Sequence, residues 1–292
     1  MHIIIGTRGS DLALAQTDIV KKLVTSLDPS ITVEIKVIKT EGDKNMAPIP
    51  TDVVGKGWFT KEIEKALLTR EIDLAEHSLK DLGEVLPEGL IISAIPARGD
   101  VRDVLVSKNN IQVKDLPEGA IIGTDSARRK VLLLQMRTDL QVESVRGNVN
   151  TRLRKLQEED YDALVLAAAG LQRLGMEDII TEYFDPFEFI PAPGQGAIAI
   201  QTRSSDTELN RLLVKINDTK TELETIAERL FTKAMGGGCK LPVGAYAVID
   251  GNQLKLYGMA AEEDGSNFRK GSITGITKDV EKLGKDLALK LQ

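Results

Sequence analysis

Residues 3–10 read Ile3-Ile4-Ile5-Gly6-Thr7-Arg8-Gly9-Ser10, and residues 121–129 read Ile121-Ile122-Gly123-Thr124-Asp125-Ser126-Ala127-Arg128-Arg129. Each is a short apolar run, a Gly-Thr turn and a hydroxyl residue set to cap a helix. Such a turn aims helix N-terminal N–H groups and hydroxyls at an anion, although Gly-Thr also serves simply to end a strand. Its occurrence twice, each time beside arginine, points to two related domains facing one ligand.

The surrounding pattern agrees. Leu12, Ala15, Ile19, Leu23 and Leu27 recur at helical spacing after the first turn, and Val33–Ile38 then reads as a strand. Phe59, Ile63, Ala66 and Leu67 give another helix face, followed by strands at Ile91–Ile95 and Val104–Ser107. After Ile121–Gly123 come a helix over Ala127–Met136, a strand near Val142–Val145, a helix over Asn150–Leu156 and a strand at Ala163–Ala167. This alternation predicts an α/β fold with largely parallel sheets. A smaller α+β unit begins near Asp218. Thr219-x-x-Glu222 and Thr221-x-x-Glu224 both fit a capping box, and Gly236-Gly237-Gly238 ends the helix just before Cys239. Alternating stretches at Ala245–Ile249 and Leu254–Met259 follow, then a helix carrying Val280, Leu283 and Leu287.

Composition bounds the function. The 292 residues suit two or three domains, and 42% hydrophobic with 28% charged residues describes an ordinary globular protein. A net charge of −6 argues against non-specific binding to nucleic acid or anionic lipid. One cysteine precludes an internal disulfide, and one cysteine with two histidines leaves no Cys/His zinc cluster, so no metal is expected. No apolar run reaches membrane-spanning length, and Met1–Gly6 lacks the basic start and long apolar core of a signal peptide. The expectation is a cytoplasmic protein without nucleic-acid or membrane partners.

The chemistry-bearing residues gather in a few places. Arg8, Arg128, Arg129, Arg146, Arg152 and Arg173 fall at turns or helix starts of an acidic chain. Singly each reads as a surface residue. Together they suit a polyanionic small molecule, since guanidinium grips carboxylate bidentately. Glu76-His77-Ser78-Leu79-Lys80-Asp81 packs polar groups at a strand end, where a structural His77 is the simpler reading. Cys239, beside three glycines and Lys240, leaves both a small buried hydrophobe and a functional thiol open. The stretch from Glu41 to Gly57 has little periodicity, as in a functional loop or lid, and Lys56 lies at its end.

Several motifs then run in a fixed order. They are Gly6-Thr7-Arg8-x-Ser10-x-Leu12-Ala13, Gly55-Lys56-Gly57-x-Phe59, His77-Ser78-Leu79-Lys80-Asp81, Gly123-Thr124-x-Ser126-x-Arg128-Arg129 and Arg146-Gly147-Asn148-Val149-x-Thr151-Arg152. Ala169-Gly170-Leu171-x-Arg173-Leu174-Gly175, Pro191-Ala192-x-Gly194-Gln195-Gly196-Ala197 and Gly237-Gly238-Cys239-x-Leu241-Pro242-Val243-Gly244 continue the series. The ordered set resembles the hydroxymethylbilane synthase (porphobilinogen deaminase) family from residue 6 to about 247.

The resemblance implies two domains like type II periplasmic binding proteins plus a small α+β C-terminal domain. The boundaries expected are 1–97 with 196–216, then 102–191, then 219–292. It implies a transferase, monomeric, that joins four porphobilinogen molecules head-to-tail into hydroxymethylbilane with loss of ammonia. A covalent dipyrromethane cofactor, thioether-linked to Cys239, would prime the chain. Asp81 would be the catalytic carboxylate, hydrogen-bonded to pyrrole N–H groups and stabilising developing positive charge. Arg8, Ser10, Lys56, Phe59, Ser78, Lys80, Thr124, Ser126, Arg128, Arg129, Arg146, Arg152, Arg173 and Gln195 would bind the cofactor and the substrate's acetate and propionate arms.

Departures from the pattern are Asp125, where a serine is common, Gly83 in place of a proline, Trp58 and Asn150. Asp125 would repel a substrate carboxylate. The main rival is a non-catalytic two-domain binding protein for a small polycarboxylate, which would need neither Asp81 nor Cys239. A cysteine hydrolase is weaker, with only two histidines for a base.

Overall fold

The computed structural model describes residues 1–44, 60–236 and 242–292. Lys56, Phe59 and Cys239 lie outside them, as does most of the expected lid. The chain forms two compact units, residues 1–99 with 197–223, and residues 100–196 with 224–292.

In the first unit β1 (His2–Thr7), α1 (Asp11–Leu27), β2 (Thr32–Val37), α2 (Glu41–Lys44), α3 (Lys61–Leu68), β3 (Leu74–Ser78) and β4 (Leu90–Ala94) follow in order. The second unit opens with β5 (Asp103–Ser107), β6 (Ile121–Gly123) and α4 (Ala127–Met136), then β7 (Gln141–Glu143) and α5 (Val149–Glu158). It continues through β8 (Ala163–Ala167), α6 (Ala168–Arg173) and β9 (Glu182–Tyr183). The chain then returns to the first unit as β10 (Ile198–Arg203) and α7 (Thr207–Leu213).

The two sheets have one plan, β2-β1-β3-β10-β4 and β7-β6-β8-β5-β9. In each, the fourth strand is the first one made after the chain crosses over, and it runs antiparallel to both neighbours. The remaining pairs, β1 with β2 and β3 and β6 with β7 and β8, are parallel. Both sheets are flanked by helices of the same segments, as the α/β reading expects. The expectation of largely parallel sheets is corrected, since β5 and β10 make every one of their pairings antiparallel, and β10, with every residue buried, was not legible as a strand. It closes the core of Ile3, Ile5, Val20, Val24, Leu74, Ile198 and Ile200.

The C-terminal part holds α8 (Thr219–Ala234), β11 (Val243–Asp250), β12 (Gln253–Ala260), β13 (Arg269–Ile276) and α9 (Val280–Leu291). The three strands form an antiparallel sheet in chain order. Met259 and Ala261 enter the same apolar cluster as Leu105, Ile122 and Leu133. The start of α8 differs from the capping boxes expected. Asp218 accepts the backbone N–H of Thr221 at 2.7 Å, while the Thr221 hydroxyl accepts from the Arg98 N–H. An aspartate one residue ahead of the threonines makes the stronger cap. Glu224 turns instead to the N–H of Ile249.

Candidate functional site

In the first unit the ends of β1 and β3 lie side by side, because the parallel pairing sets Ile5 opposite Leu74 and Gly6 opposite Ala75. Gly6 leaves room there for Ile72, whose Cδ1 lies 2.2 Å from where a Cβ would stand. The chain leaves β1 through Thr7 and Arg8 to Ser10, whose hydroxyl caps α1 by accepting the N–H of Ala13 at 3.3 Å. From β3 it turns through one 3₁₀ turn, Leu79–Asp81. Leu79 and Leu82 are fully buried and anchor that turn, the Leu79 N–H bonding the Ala197 carbonyl. Lys80 and Asp81, between the anchors, stay accessible.

These two strand ends line one pocket, with Arg8, Ser10, Gln16, Glu76, Ser78 and Asp81 in its walls. Polar groups of these walls bond to one another and to the residues behind them. The Thr7 hydroxyl donates to Glu76 at 3.2 Å, and Gln16 and Ser78 are hydrogen-bonded at 3.1 Å. His77 is buried and meets the Gln201 carboxamide oxygen at 3.0 Å, while the Gln201 nitrogen donates to Glu64. That orientation requires the His77 proton on Nε2. Burial lowers the His77 pKa to about 4, against the Gln201 hydrogen bond that raises it, and Arg8 lowers it further. His77 is therefore neutral near pH 7 and held by Gln201, and it too lines the pocket.

In the second unit the matching turn carries Thr124 and Ser126. The Ser126 hydroxyl caps α4, accepting from the Arg129 N–H at 3.4 Å. Arg128 and Arg129 are both buried, and both guanidinium groups close on Asp103 at the start of β5, at 2.8 and 2.6 Å. Arg128 also donates to the Ile190 carbonyl and Arg129 to that of Val165. Burial alone would raise the Asp103 pKa, but the two guanidinium charges hold it down to about 2. Two cations thus share one anion, leaving one positive charge in excess.

Gln195 is fully buried behind this cluster, its carboxamide donating to Asp103 at 3.0 Å and to the Val101 carbonyl at 2.8 Å. Glu228 of α8 in turn accepts the N–H of Gly194 at 2.7 Å and that of Ala247 at 2.9 Å. Gly244 on β11 leaves room for Arg128, whose Cδ lies 3.1 Å from where a Cβ would stand.

The other arginines belong to the same unit, Arg146 on the turn before α5, Arg152 in the first turn of α5 and Arg173 at the end of α6. Arg146 lies 3.5 Å from Asp125, Arg152 donates to the Gly147 carbonyl at 2.9 Å, and Arg173 to that of Gly196 at 2.6 Å. Arg8 alone of the six belongs to the first unit. Sequence reasoning missed Asp103, Glu76, Glu64 and Glu228. Glu64 and Glu228 are polar exceptions inside predicted helices, Glu76 falls at a predicted strand end, and Asp103 sits in Asp100-Val101-Arg102-Asp103, directly before a predicted strand.

Residues 3–211 match the family model described as "Porphobilinogen deaminase, dipyromethane cofactor binding domain", and residues 222–292 match "Porphobilinogen deaminase, C-terminal domain". The chain is 48% identical over 287 residues to a porphobilinogen deaminase of Oceanobacillus iheyensis, covering 98% of this chain and 92% of that one. It is 46% identical over 286 residues to that of Bacillus subtilis, covering 97% and 90%. Two family models spanning nearly the whole chain, and relatives of such identity and length, leave one assignment: the chain belongs to the porphobilinogen deaminase, or hydroxymethylbilane synthase, family.

Proposed function

We propose that Asp81 is the catalytic carboxylate of this chain and that the arginines of both units bind the carboxylate arms of substrate and cofactor. The reaction is that of the family: four porphobilinogen molecules join head-to-tail into hydroxymethylbilane, with loss of ammonia, on a dipyrromethane cofactor. The observation that carries the Asp81 reading is its placement. It is an accessible carboxylate held on a turn pinned by two buried leucines, in one pocket with Arg8, Ser10 and Ser78.

The residues present suit a polycarboxylate group. The excess positive charge of Arg128 and Arg129 over Asp103 favours an added anion, and the Thr124 and Ser126 hydroxyls lie at the same helix start. When bound, dipyrromethane supplies the primer to which substrate units are joined. Cys239 is the proposed point of attachment, as the only thiol in the chain. Arg146, Arg152 and Arg173 add cationic groups from the same unit. Gln195 acts through Asp103, holding the carboxylate that sets both guanidinium planes.

On the first unit, Arg8 and Lys80 attract and orient the substrate's acidic arms, Ser10 and Ser78 supply hydroxyl donors, and Asp81 faces the positive charge that develops as ammonia departs. Lys56 and Phe59 complete the proposed set. We further propose a monomeric, cytoplasmic enzyme in three domains, 1–97 with 196–216, 102–191 and 219–292.

Asp81→Asn keeps the shape and removes the charge. Ammonia release from porphobilinogen should fall about 10²–10³-fold, with the melting temperature little changed. A near wild-type rate would remove Asp81 from the mechanism.

A further inference from the structure

The turn that carries Arg146 is over-determined on its own side. The Tyr161 hydroxyl donates to the Ser144 carbonyl at 2.9 Å, and Val145 is buried. Gly147 adopts φ +122°, Arg152 binds its carbonyl, and the Asn148 carboxamide caps α5 by accepting from Thr151. The backbone on both sides of Arg146 is thereby fixed. What remains to be set is its side chain, and that is met from a different loop.

Asp125 lies in the β6–α4 turn, between Thr124 and the capping Ser126. One of its oxygens accepts the Ser144 hydroxyl at 2.6 Å, and the other lies 3.5 Å from Arg146 Nε. The Ser144 bond orients the carboxylate toward the guanidinium. Both members of the ion pair are about one-third exposed, within reach of a ligand from solvent. The contrast with Asp103 is instructive. Asp103 is sealed beneath its arginines, whereas Asp125 meets the same accessible surface that a ligand carboxylate would approach.

We infer that Asp125 is a resident counter-ion that competes with ligand carboxylates for Arg146 and so weakens the grip of that site. The inference rests on the reading that Arg146 binds a substrate carboxylate. A guanidinium that already faces one anion attracts a second less strongly, and the second anion must also approach Asp125. The reaction gives this a use. A growing polycarboxylate must be gripped and then passed on, and an unopposed arginine at each contact would favour retention over movement.

The magnitude follows from the exposure. Pairs of this kind are worth a fraction of a kcal/mol to about one, which corresponds to a two- to fivefold change in affinity. In the holoenzyme, Asp125→Asn and Asp125→Ser should each lower the KM for porphobilinogen by about two- to fivefold at low ionic strength, without raising kcat. The advantage over wild type should shrink as salt is added, because the interaction removed is a screened one.

Arg146→Gln supplies the second arm. It should raise KM in the wild-type background and abolish the effect of Asp125→Asn in the double variant. Unchanged or increased KM in both folded Asp125 variants, with Arg146→Gln still raising it, would overturn the counter-ion role and leave Asp125 a support for the turn. No change of KM in Arg146→Gln would instead remove Arg146 from the binding set, and the inference with it. Thermal melting of each variant separates either result from loss of fold.

Discussion

Asp103 shows how much one residue can organise. Its carboxylate accepts from Arg128, Arg129 and the Gln195 carboxamide, so a single side chain sets two guanidinium planes and the turn that follows Pro191. Removing its charge leaves two buried arginines facing each other without a counter-ion. Breaking a buried ion pair from one side costs about 3–5 kcal/mol, far more than an exposed pair would. Asp103→Asn should therefore lower the free energy of unfolding by about that amount in chemical denaturation. A loss under 1 kcal/mol would mean that water reaches the cluster and screens it.

Among the elements, α9 carries a glycine that its own propensity disfavours. Gly284 sits mid-helix, where glycine costs about 1 kcal/mol relative to alanine. A Cβ there would stand 2.9 Å from the Ala227 carbonyl oxygen, the Leu230 Cβ and the Phe231 nitrogen, all parts of α8 that cannot swing aside. Overpacking against backbone costs about 1–3 kcal/mol, more than the propensity gain. Gly284→Ala should accordingly destabilise the protein, by up to about 2 kcal/mol, and a raised melting temperature would show that the helices can part. The same helix α8 contributes Glu224 and Glu228, which bond N–H groups of β11, so the helix and the sheet hold each other in register.

At the scale of the whole molecule, buried ionisable groups shape the acid limit. The His77 pKa is about 4 in the folded chain against 6.5 in the reference state, so the unfolded chain binds the extra proton between those values. Stability is then fully present above about pH 6.5 and falls as pH drops toward 4, by up to about 3 kcal/mol from this group. Asp103 acts lower. Its pKa is about 2 against 3.8, so its contribution is present above 3.8 and is lost as pH falls through 2. Equilibrium unfolding of wild type and His77→Gln between pH 7 and 4 tests the first part. The variant's stability should change less over that range, and parallel curves would place the acid sensitivity elsewhere.

The Gly-Thr turns at Gly6 and Gly123, the helical spacing after each and the ordered motifs made the duplicated α/β plan and the family legible from the sequence. These are local signals, carried by residues close together in the chain. The closing strands β5 and β10 are another matter. Val104–Ser107 was legible as a strand and β10 was not, and neither reveals that it runs antiparallel, because direction is decided by a chain that crosses between units and pairs with distant partners. The arginines were visible, and Asp125 stood out beside them, but the pairing of either aspartate with an arginine was not legible. Asp103 lies 25 residues from Arg128, and Asp125 lies 21 from Arg146 across a different turn. Neither separation is a helix or strand period. Sequence alone therefore determined which cations are candidates for binding a carboxylate-bearing ligand. Only the tertiary structure decided which of them are already answered by an anion of the chain itself, since charge balance depends on distance and burial and not on order along the backbone.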